Sequence, residues 1–331
     1  MIPNNATANR DRDWREALRG AFTDTASLRA WLGLEAVDSL PEVAFPCLVT
    51  RHFAAKMRFG DPADPLLRQV LPTHAESAAV PGYVSDPLRE DAVAEGGLLR
   101  KYYGRALLVT TGACPVHCRY CFRREFPYAE QAVTGARLAS ARAAIAADRS
   151  ISEVILSGGD PLVLGTPTLA RIVHGLEEIE HVTRLRVHTR VPAMLPSRLE
   201  DTALLELLAG WSGRLVVVLH ANHPAEICAQ TAAAVSRLRE ANALMLNQSV
   251  LLAGVNDSPE VLASLSETLF DAGVLPYYLH LLDPVTGAAH FDVETEQALR
   301  ILRALQSRLP GYLVPALVRE DPGATAKTRL A

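Results

Sequence analysis

The spacing of apolar residues changes near residue 100. From Asp11 to about Leu34, Trp14, Leu18 and Phe22, then Leu28, Trp31 and Leu32, recur at intervals of three and four, the period of short amphipathic helices. A second helical stretch is expected from Thr50 to Phe59. The stretch 60–99 is aperiodic and proline-rich around Asp61-Pro-Ala-Asp-Pro-Leu-Leu-Arg68, which predicts a connector wrapping the main domain. After Lys101, short apolar runs alternate with helical ones. Strands are expected at Ala106–Thr111, Glu153–Ser157, Arg184–Thr189, Arg214–His220, Leu244–Leu251 and Pro276–Leu282. Helices are expected at Ala136–Ala147, Pro167–Ile179, Arg198–Leu208, Ala225–Ala241 and Pro259–Ala272. Thr166-Pro167 and Ser258-Pro259 read as a cap followed by a first-turn proline. A last helix, Glu294–Arg308, precedes an extended tail, Tyr312–Arg319.

Regular alternation of strand and helix argues for parallel strands covered by helices. Six such units predict an α/β fold, an open (β/α)6 partial TIM barrel with an N-terminal helical extension. The division falls at residue 100, with a wrapping segment 1–100 and a core 101–331. Ligands on parallel strands collect at the C-terminal strand ends. Ser157-Gly158-Gly159-Asp160 follows the second strand, His220-Ala-Asn-His223 the fourth and Asp283 the sixth, so the polar residues of interest fall on one rim.

Composition adds mainly exclusions. A chain of 331 residues can bury a large core, and 49% hydrophobic with 21% charged residues suits a soluble globular protein. A net charge of −4 gives no general drive toward nucleic acid. No apolar run approaches bilayer-spanning length, and Met1-Ile-Pro-Asn-Asn-Ala6 lacks the charged-then-apolar order of a signal peptide. A cytoplasmic protein, without membrane or nucleic-acid partners, is expected. Cys47 and Cys228 are expected to be core thiols and not a disulfide.

The chemistry concentrates in Gly112-Ala-Cys114-Pro-Val-His-Cys118-Arg-Tyr-Cys121-Phe-Arg-Arg-Glu-Phe126, directly after the first core strand. A Cys-x3-Cys-x2-Cys loop can wrap three thiolates around a [4Fe–4S] cubane and leave one of its four irons open. An open iron is a position for chemistry. The competing reading is a structural zinc loop, but zinc favours four ligands in paired knuckles, no second Cys-x2-Cys exists, and His117 is too constrained between the first two cysteines. Three buried thiols placed by chance suit this polar, arginine-rich segment less well still. Elsewhere, Asn247-Gln248 are odd polar residues in an apolar strand; they either reach a ligand or satisfy each other inside the sheet. A lysine in a tail, such as Lys327, is ordinarily a solvated charge.

The cysteine spacing, with Tyr120 before the last cysteine, resembles that of radical S-adenosylmethionine enzymes. Ser157-Gly158-Gly159-Asp160-Pro161 resembles their glycine motif, which holds the methionyl amine of that cofactor; alone, a Gly-Gly pair is usually only a turn. Together with Asn247-Gln-Ser-Val-Leu-Leu-Ala-Gly-Val-Asn-Asp257 and Lys327, the chain resembles the lysine 2,3-aminomutase family from about Lys101 to Lys327. Asp64-Pro-Leu-Leu-Arg-Gln-Val-Leu-Pro72, Cys118-Arg-Tyr-Cys-Phe-Arg-Arg124, Tyr277-Tyr-Leu-His-Leu-Leu-Asp283 and the short tail are similar to the branch that serves β-lysylation of elongation factor P.

The resemblance implies a radical rearrangement. A 5′-deoxyadenosyl radical removes hydrogen from C3 of L-lysine, and the α-amino nitrogen, held on pyridoxal phosphate, moves from C2 to C3, giving (R)-β-lysine. It implies cluster ligation by Cys114, Cys118 and Cys121, and S-adenosylmethionine contacts at Gly158, Gly159 and Asp160, with His220 and Gln248 as further candidates. Pyridoxal phosphate would sit on Lys327, near Arg105 and Lys101. Arg123 would take the substrate carboxylate, and Asp283 with Glu320 its ε-ammonium. Glu320 stands where longer clostridial-type enzymes have aspartate, His280 where they have tyrosine, and Gly323-Ala-Thr-Ala326 replaces a glycine string. Implied partners are an electron donor such as flavodoxin or ferredoxin, elongation factor P with its lysyl-tRNA-synthetase-like ligase, and a second copy of the chain in a homo-oligomer. The alternatives are a metabolic lysine or glutamate 2,3-aminomutase and a non-catalytic iron–sulfur protein; two acids at the distal end argue against glutamate.

Overall fold

The computed structural model describes residues 14–34, 45–90, 94–128, 132–133 and 135–331. The start of the first expected helix at Asp11–Asp13 and the Met1–Ala6 segment lie outside the described residues. Two short N-terminal helices, α1 (Trp14–Arg19) and α2 (Thr25–Trp31), match the three-and-four spacing. The stretch expected to be helical from Thr50 to Phe59 forms one turn, α3 (Arg51–Ala54). Its cap is set by Thr50, whose hydroxyl accepts from the Phe53 amide and donates to the Met194 carbonyl. In the connector Asp64 caps α4 (Pro65–Arg68), accepting from the Leu66 and Leu67 amides.

The chain then forms a ten-stranded sheet, with strands adjacent in chain order. It begins with two two-residue strands, β1 (Ala94–Glu95) and β2 (Leu98–Leu99), which pair antiparallel; β2 also pairs antiparallel with the first long strand. The six expected strands come next: β3 (Arg105–Thr111), β4 (Glu153–Gly158), β5 (Arg184–Thr189), β6 (Arg214–His220), β7 (Leu244–Val250) and β8 (Leu275–His280). All pair in parallel, and a seventh parallel strand, β9 (Ala316–Arg319), joins β8 where only an extended tail was expected. The sheet ends in β10 (Thr328–Arg329), antiparallel to β9. The fold is α/β with an open, mostly parallel sheet.

The helices between strands are α5 (Ala136–Ala147), α6 (Thr166–Glu177), α7 (Val191–Met194), α8 (Thr202–Ala209), α9 (Ala229–Glu240), α10 (Pro259–Asp271) and α11 (Thr295–Arg308). Two expected helices begin later than the periodicity suggested, because Pro196–Glu200 and Pro224–Glu226 are 3-10 turns ahead of α8 and α9. Ser258 caps α10 as expected, but Gly165 caps α6; Thr166 is already helical and spends its hydroxyl on Asp201.

One apolar cluster joins the N-terminal helices to the sheet-covering helices, with Trp14, Leu28 and Phe53 packed together with Leu169, Met194 and Leu238. Arg198 is wholly buried beneath the Trp14 ring and donates to the Leu162 and Leu164 carbonyls, so its charge is satisfied without water. Among the described residues no helix is long and apolar enough to cross a membrane. Cys47 and Cys228 are free, as expected. Cys47 is buried, but Cys228 is not a plain core thiol. It is half-buried beside His52 and Thr231, which, against the opposing effect of burial, bring its pKa down to about 5.

Candidate active site

The C-terminal strand ends open onto one cavity of about 520 Å³. All fourteen candidate residues line it: Cys114, Cys118, Cys121, Gly158, Gly159, Asp160, His220, Gln248, Lys327, Arg105, Lys101, Arg123, Asp283 and Glu320. The topology explains the convergence. The cysteine loop leaves β3, the Gly-Gly turn leaves β4, and Asp283 comes just after β8. Register pairing sets His220 beside Gln248, and Gln248 beside Tyr278, on neighbouring strands. The antiparallel return of β10 on β9 pairs Thr328 with Arg319, which carries Lys327 back onto Glu320.

The cysteine loop is a run of tight turns, with the Cys121 amide on the Cys118 carbonyl and the Arg124 amide on the Cys121 carbonyl. His117 is held away from the thiols by the Pro46 carbonyl and the Phe45 ring. Burial, then the neighbouring Cys121, Asp160 and Cys118, pushes the Cys114 thiol well up; burial and Cys118 raise Cys121 to about 11. Cys114 and Cys121, buried and raised beside neighbouring thiols, suit with Cys118 a donor set for a cationic metal cluster, whose charge would favour the thiolates. Among the described residues, no group of three or more His, Cys, Asp or Glu side chains is placed to hold a metal ion.

The Gly-Gly turn is required by packing. Gly158 has φ +117°, and a Cβ on Gly159 would lie 2.2 Å from the Ala113 carbonyl oxygen in the cysteine loop. The Gly159 and Asp160 amides donate to the Thr111 and Ala113 carbonyls and tie the two loops together. Both oxygens of the Asp160 carboxylate accept hydrogen bonds, from the Thr189 hydroxyl and from the Leu162 and Arg190 amides. Asp160 therefore holds the ends of β4 and β5 together.

Asn247 and Gln248 divide by strand alternation. Asn247 is buried and bridges to the Ala221 backbone and the Ser249 hydroxyl, whereas Gln248 faces the cavity and bonds the His220 ring, 2.7 Å away. Burial lowers His220 to about 3, so the pair is neutral. The Nε2 atoms of His188 and His280 are buried in the cavity wall and have no hydrogen-bond partner among the described residues. Two orphaned nitrogens suit a polar ligand.

Beside the cysteines lies a network that no local sequence pattern announces. Arg190 donates to the Cys118 sulfur and the Tyr120 hydroxyl, both at 2.6 Å, and to Glu226 at 2.8 Å. Its Nε is buried and has no partner among the described residues. Gln69 accepts from Asn222 and Tyr120, and Asn222 donates to Tyr120. The connector thus supplies Gln69 to the buried network behind Tyr120 and Asn222 and does more than wrap the core. Glu76, also from the connector, binds Arg119 and Arg124 of the cysteine loop.

At the opposite end, Glu320 accepts from both Lys327 and Lys101. Burial would raise its pKa, but those ammonium groups hold it down at about 2. Asp283 behaves oppositely: burial first, then the Glu320 charge, raises it to about 7. Lys327 lies 6.0 Å over the Tyr278 ring, and Arg105 is 5.6 Å from the Tyr102 ring. Arg123 is held by the buried Glu90, a residue without a local signature.

Comparison with known proteins is consistent with this arrangement. A family model described as a 4Fe-4S single cluster domain matches residues 103–188. L-lysine 2,3-aminomutase of Escherichia coli K12 is 44% identical over 96% of this chain and 94% of its own length. The protein of that name from Haemophilus influenzae is 42% identical over 100% of this chain and 99% of its own. The one from Clostridium subterminale is 32% identical over 96% of this chain but only 77% of its own.

Proposed function

The chain belongs to the L-lysine 2,3-aminomutase family of radical S-adenosylmethionine enzymes, and from that premise we propose that it converts L-lysine to (R)-β-lysine for attachment to elongation factor P. The observation that carries the reading is the single cavity joining three thiols at one end to Lys327, Glu320 and Asp283 at the other. A carrier of electrons alone has no use for the second end. We read the sheet as the (β/α)6 partial barrel of this family, with residues 1–100 wrapping a catalytic core of 101–331.

Cys114, Cys118 and Cys121 would hold a [4Fe–4S] cluster with one iron left for S-adenosylmethionine, near His220, Gln248 and the Gly158-Gly159 turn. Lys327 would hold pyridoxal phosphate, with Lys101 and Arg105 as the nearby cations. When bound, these groups supply the hydrogen-abstracting radical and a ring that delocalises the unpaired electron. The remaining work belongs to the chain. Arg123 receives the substrate carboxylate, a task suited to the planar guanidinium. Asp283 and Glu320 receive the ε-ammonium and repel a substrate with a distal carboxylate. Apolar side chains such as Leu107, Ile155 and Leu282 line the same cavity and limit water around a reactive radical.

The elongation factor role rests on the branch-like motifs and on the near full-length match to the shorter relatives. One product molecule modifies one protein, so slow turnover suffices. The test is chiral analysis of the product from L-lysine, with S-adenosylmethionine, pyridoxal phosphate and an electron donor such as flavodoxin or ferredoxin, without oxygen. Predominantly R product supports the proposal; predominantly S product assigns the chain to the metabolic branch and withdraws the elongation factor role.

A further inference from the structure

A guanidinium carries five N–H donors, and at Arg123 three of them are already committed. Its Nε donates to Glu90 Oε2 at 2.6 Å and its Nη2 to Glu90 Oε1 at 3.0 Å, a side-on fork. Its Nη1 donates to the Ser157 hydroxyl at 3.1 Å. One N–H then remains on each terminal nitrogen, enough for one further carboxylate. The contacts are deep: Glu90 is 3% and Arg123 7% exposed, with the Phe122 ring 4.8 Å from the guanidinium carbon. Burial alone would raise the Glu90 carboxyl, but the charges of Arg123 and then Lys101 keep it below the usual range. Glu90 is therefore an anion that the fold has built in against an arginine.

Resting on the proposed role of Arg123, we propose that Glu90 is the positioning residue for the substrate's carboxylate seat. It fixes the Arg123 guanidinium side-on so that the two remaining N–H groups meet the substrate. Glu90 also accepts from Lys101 at 3.2 Å, and Lys101 from its other side binds Glu320 at 3.0 Å. The alternating chain Arg123–Glu90–Lys101–Glu320–Lys327 thus ties the carboxylate end of the cavity to the ammonium end. A substrate with both groups is measured against a frame whose length is set by these ion pairs. Glu90 lies 33 residues from Arg123 in the chain, so the cysteine-loop pattern contains no trace of it.

The experiment compares L-lysine with cadaverine, the same diamine without a carboxylate, on the holoenzyme: KM for L-lysine and Ki for cadaverine as a competitor. Glu90→Gln is expected to raise KM at least tenfold, change kcat less than threefold, and leave the cadaverine Ki within twofold. Arg123→Lys is measured beside it. If both variants lose lysine affinity selectively, the proposal stands. If Arg123→Lys does so and Glu90→Gln does not, Glu90 has no positioning role while the Arg123 assignment survives. Loss in neither overturns both. A lower KM in Glu90→Gln also overturns the proposal, since Glu90 would then be a competitor for the seat. An equal loss of lysine and cadaverine affinity overturns it too, because the effect would not be specific to the carboxylate. Should Glu90→Gln fail to fold, Glu90→Asp keeps the charge, withdraws it by one methylene, and is expected to give a smaller selective rise in KM.

Discussion

The two ends of the cavity are built on different principles. The thiol end is embedded: Arg190, Gln69 and the pair Asn222 and Glu226, from three separate parts of the chain, close a buried network around Cys118 and Tyr120. Glu226 has no exposed surface, and its carboxylate takes Arg190, Gln69 and the Asn222 and His223 amides. The lysine end is hung on a short antiparallel return of the chain and held by half-buried ion pairs. Hydrogen-bonded burial makes a rigid seat; ion pairing makes one that responds to pH and to an arriving charge. The proposed cluster at the first end and the proposed charged substrate at the second would have those respective needs.

The largest expected effects separate the ends. Alanine at Cys114, Cys118 or Cys121 is expected to remove iron, sulfide and all activity together, read by metal analysis and product assay. Lys327→Ala is expected to abolish activity equally but to keep the cluster and lose bound pyridoxal phosphate, read by absorbance. A cysteine variant that keeps full iron and turnover would undo the assignment of that end.

Next is the rigidity of the thiol end. Glu226→Gln leaves the buried Arg190 without its anion, and breaking a buried pair costs about 3–5 kcal/mol. Urea unfolding of the apoprotein is expected to show a loss of that order. Little or no loss would mean that the network does not brace the loop.

Asp283→Asn probes the charged end. Removing one partner of a buried ammonium costs about 3 kcal/mol, roughly a hundredfold in kcat/KM for lysine. Both cofactors should remain bound.

The smallest effect is the pH response. Burial raises Asp283 to about 7, and in the role proposed above it is the ionised form that would receive the substrate ammonium. Below pH 7 binding must expel a proton, so KM for lysine should rise toward tenfold per unit fall in pH and be flat above it. Asp283→Asn should remove that slope. An unchanged slope in the variant would assign the titration to another group.

Much of the fold was legible. All six expected core strands match within two residues at each end, because buried parallel strands carry continuous apolar runs. The sixth ends two residues earlier than expected, since Leu281 and Leu282 are apolar but lie past its end. Strands of two residues, such as Leu98–Leu99 and Thr328–Arg329, have no period to read. The site residues were legible where a local spacing or a family resemblance named them, and all of those line one cavity. Glu90, Gln69, Arg190 and Glu226 were missed because their role lies in partners far away in sequence, and a lone buried charge has no local pattern. Gln69 was the nearest to discovery, since it falls within the Asp64–Pro72 motif. Gly158 and Gly159 are read toward a cofactor, and a packing demand lies beside that reading: a Cβ on Gly158 would meet the end of β3, and one on Gly159 the cysteine loop.

The most direct measurement offers the reconstituted protein L-lysine and L-glutamate in parallel, with S-adenosylmethionine, pyridoxal phosphate and reductant, and identifies the products. β-Lysine from lysine, nothing from glutamate, and no product in Lys327→Ala is the expected result. Preference for glutamate, or no β-lysine from protein shown to carry both cluster and pyridoxal phosphate, would contradict the claim that one cavity joins a radical source to a lysine-selective seat.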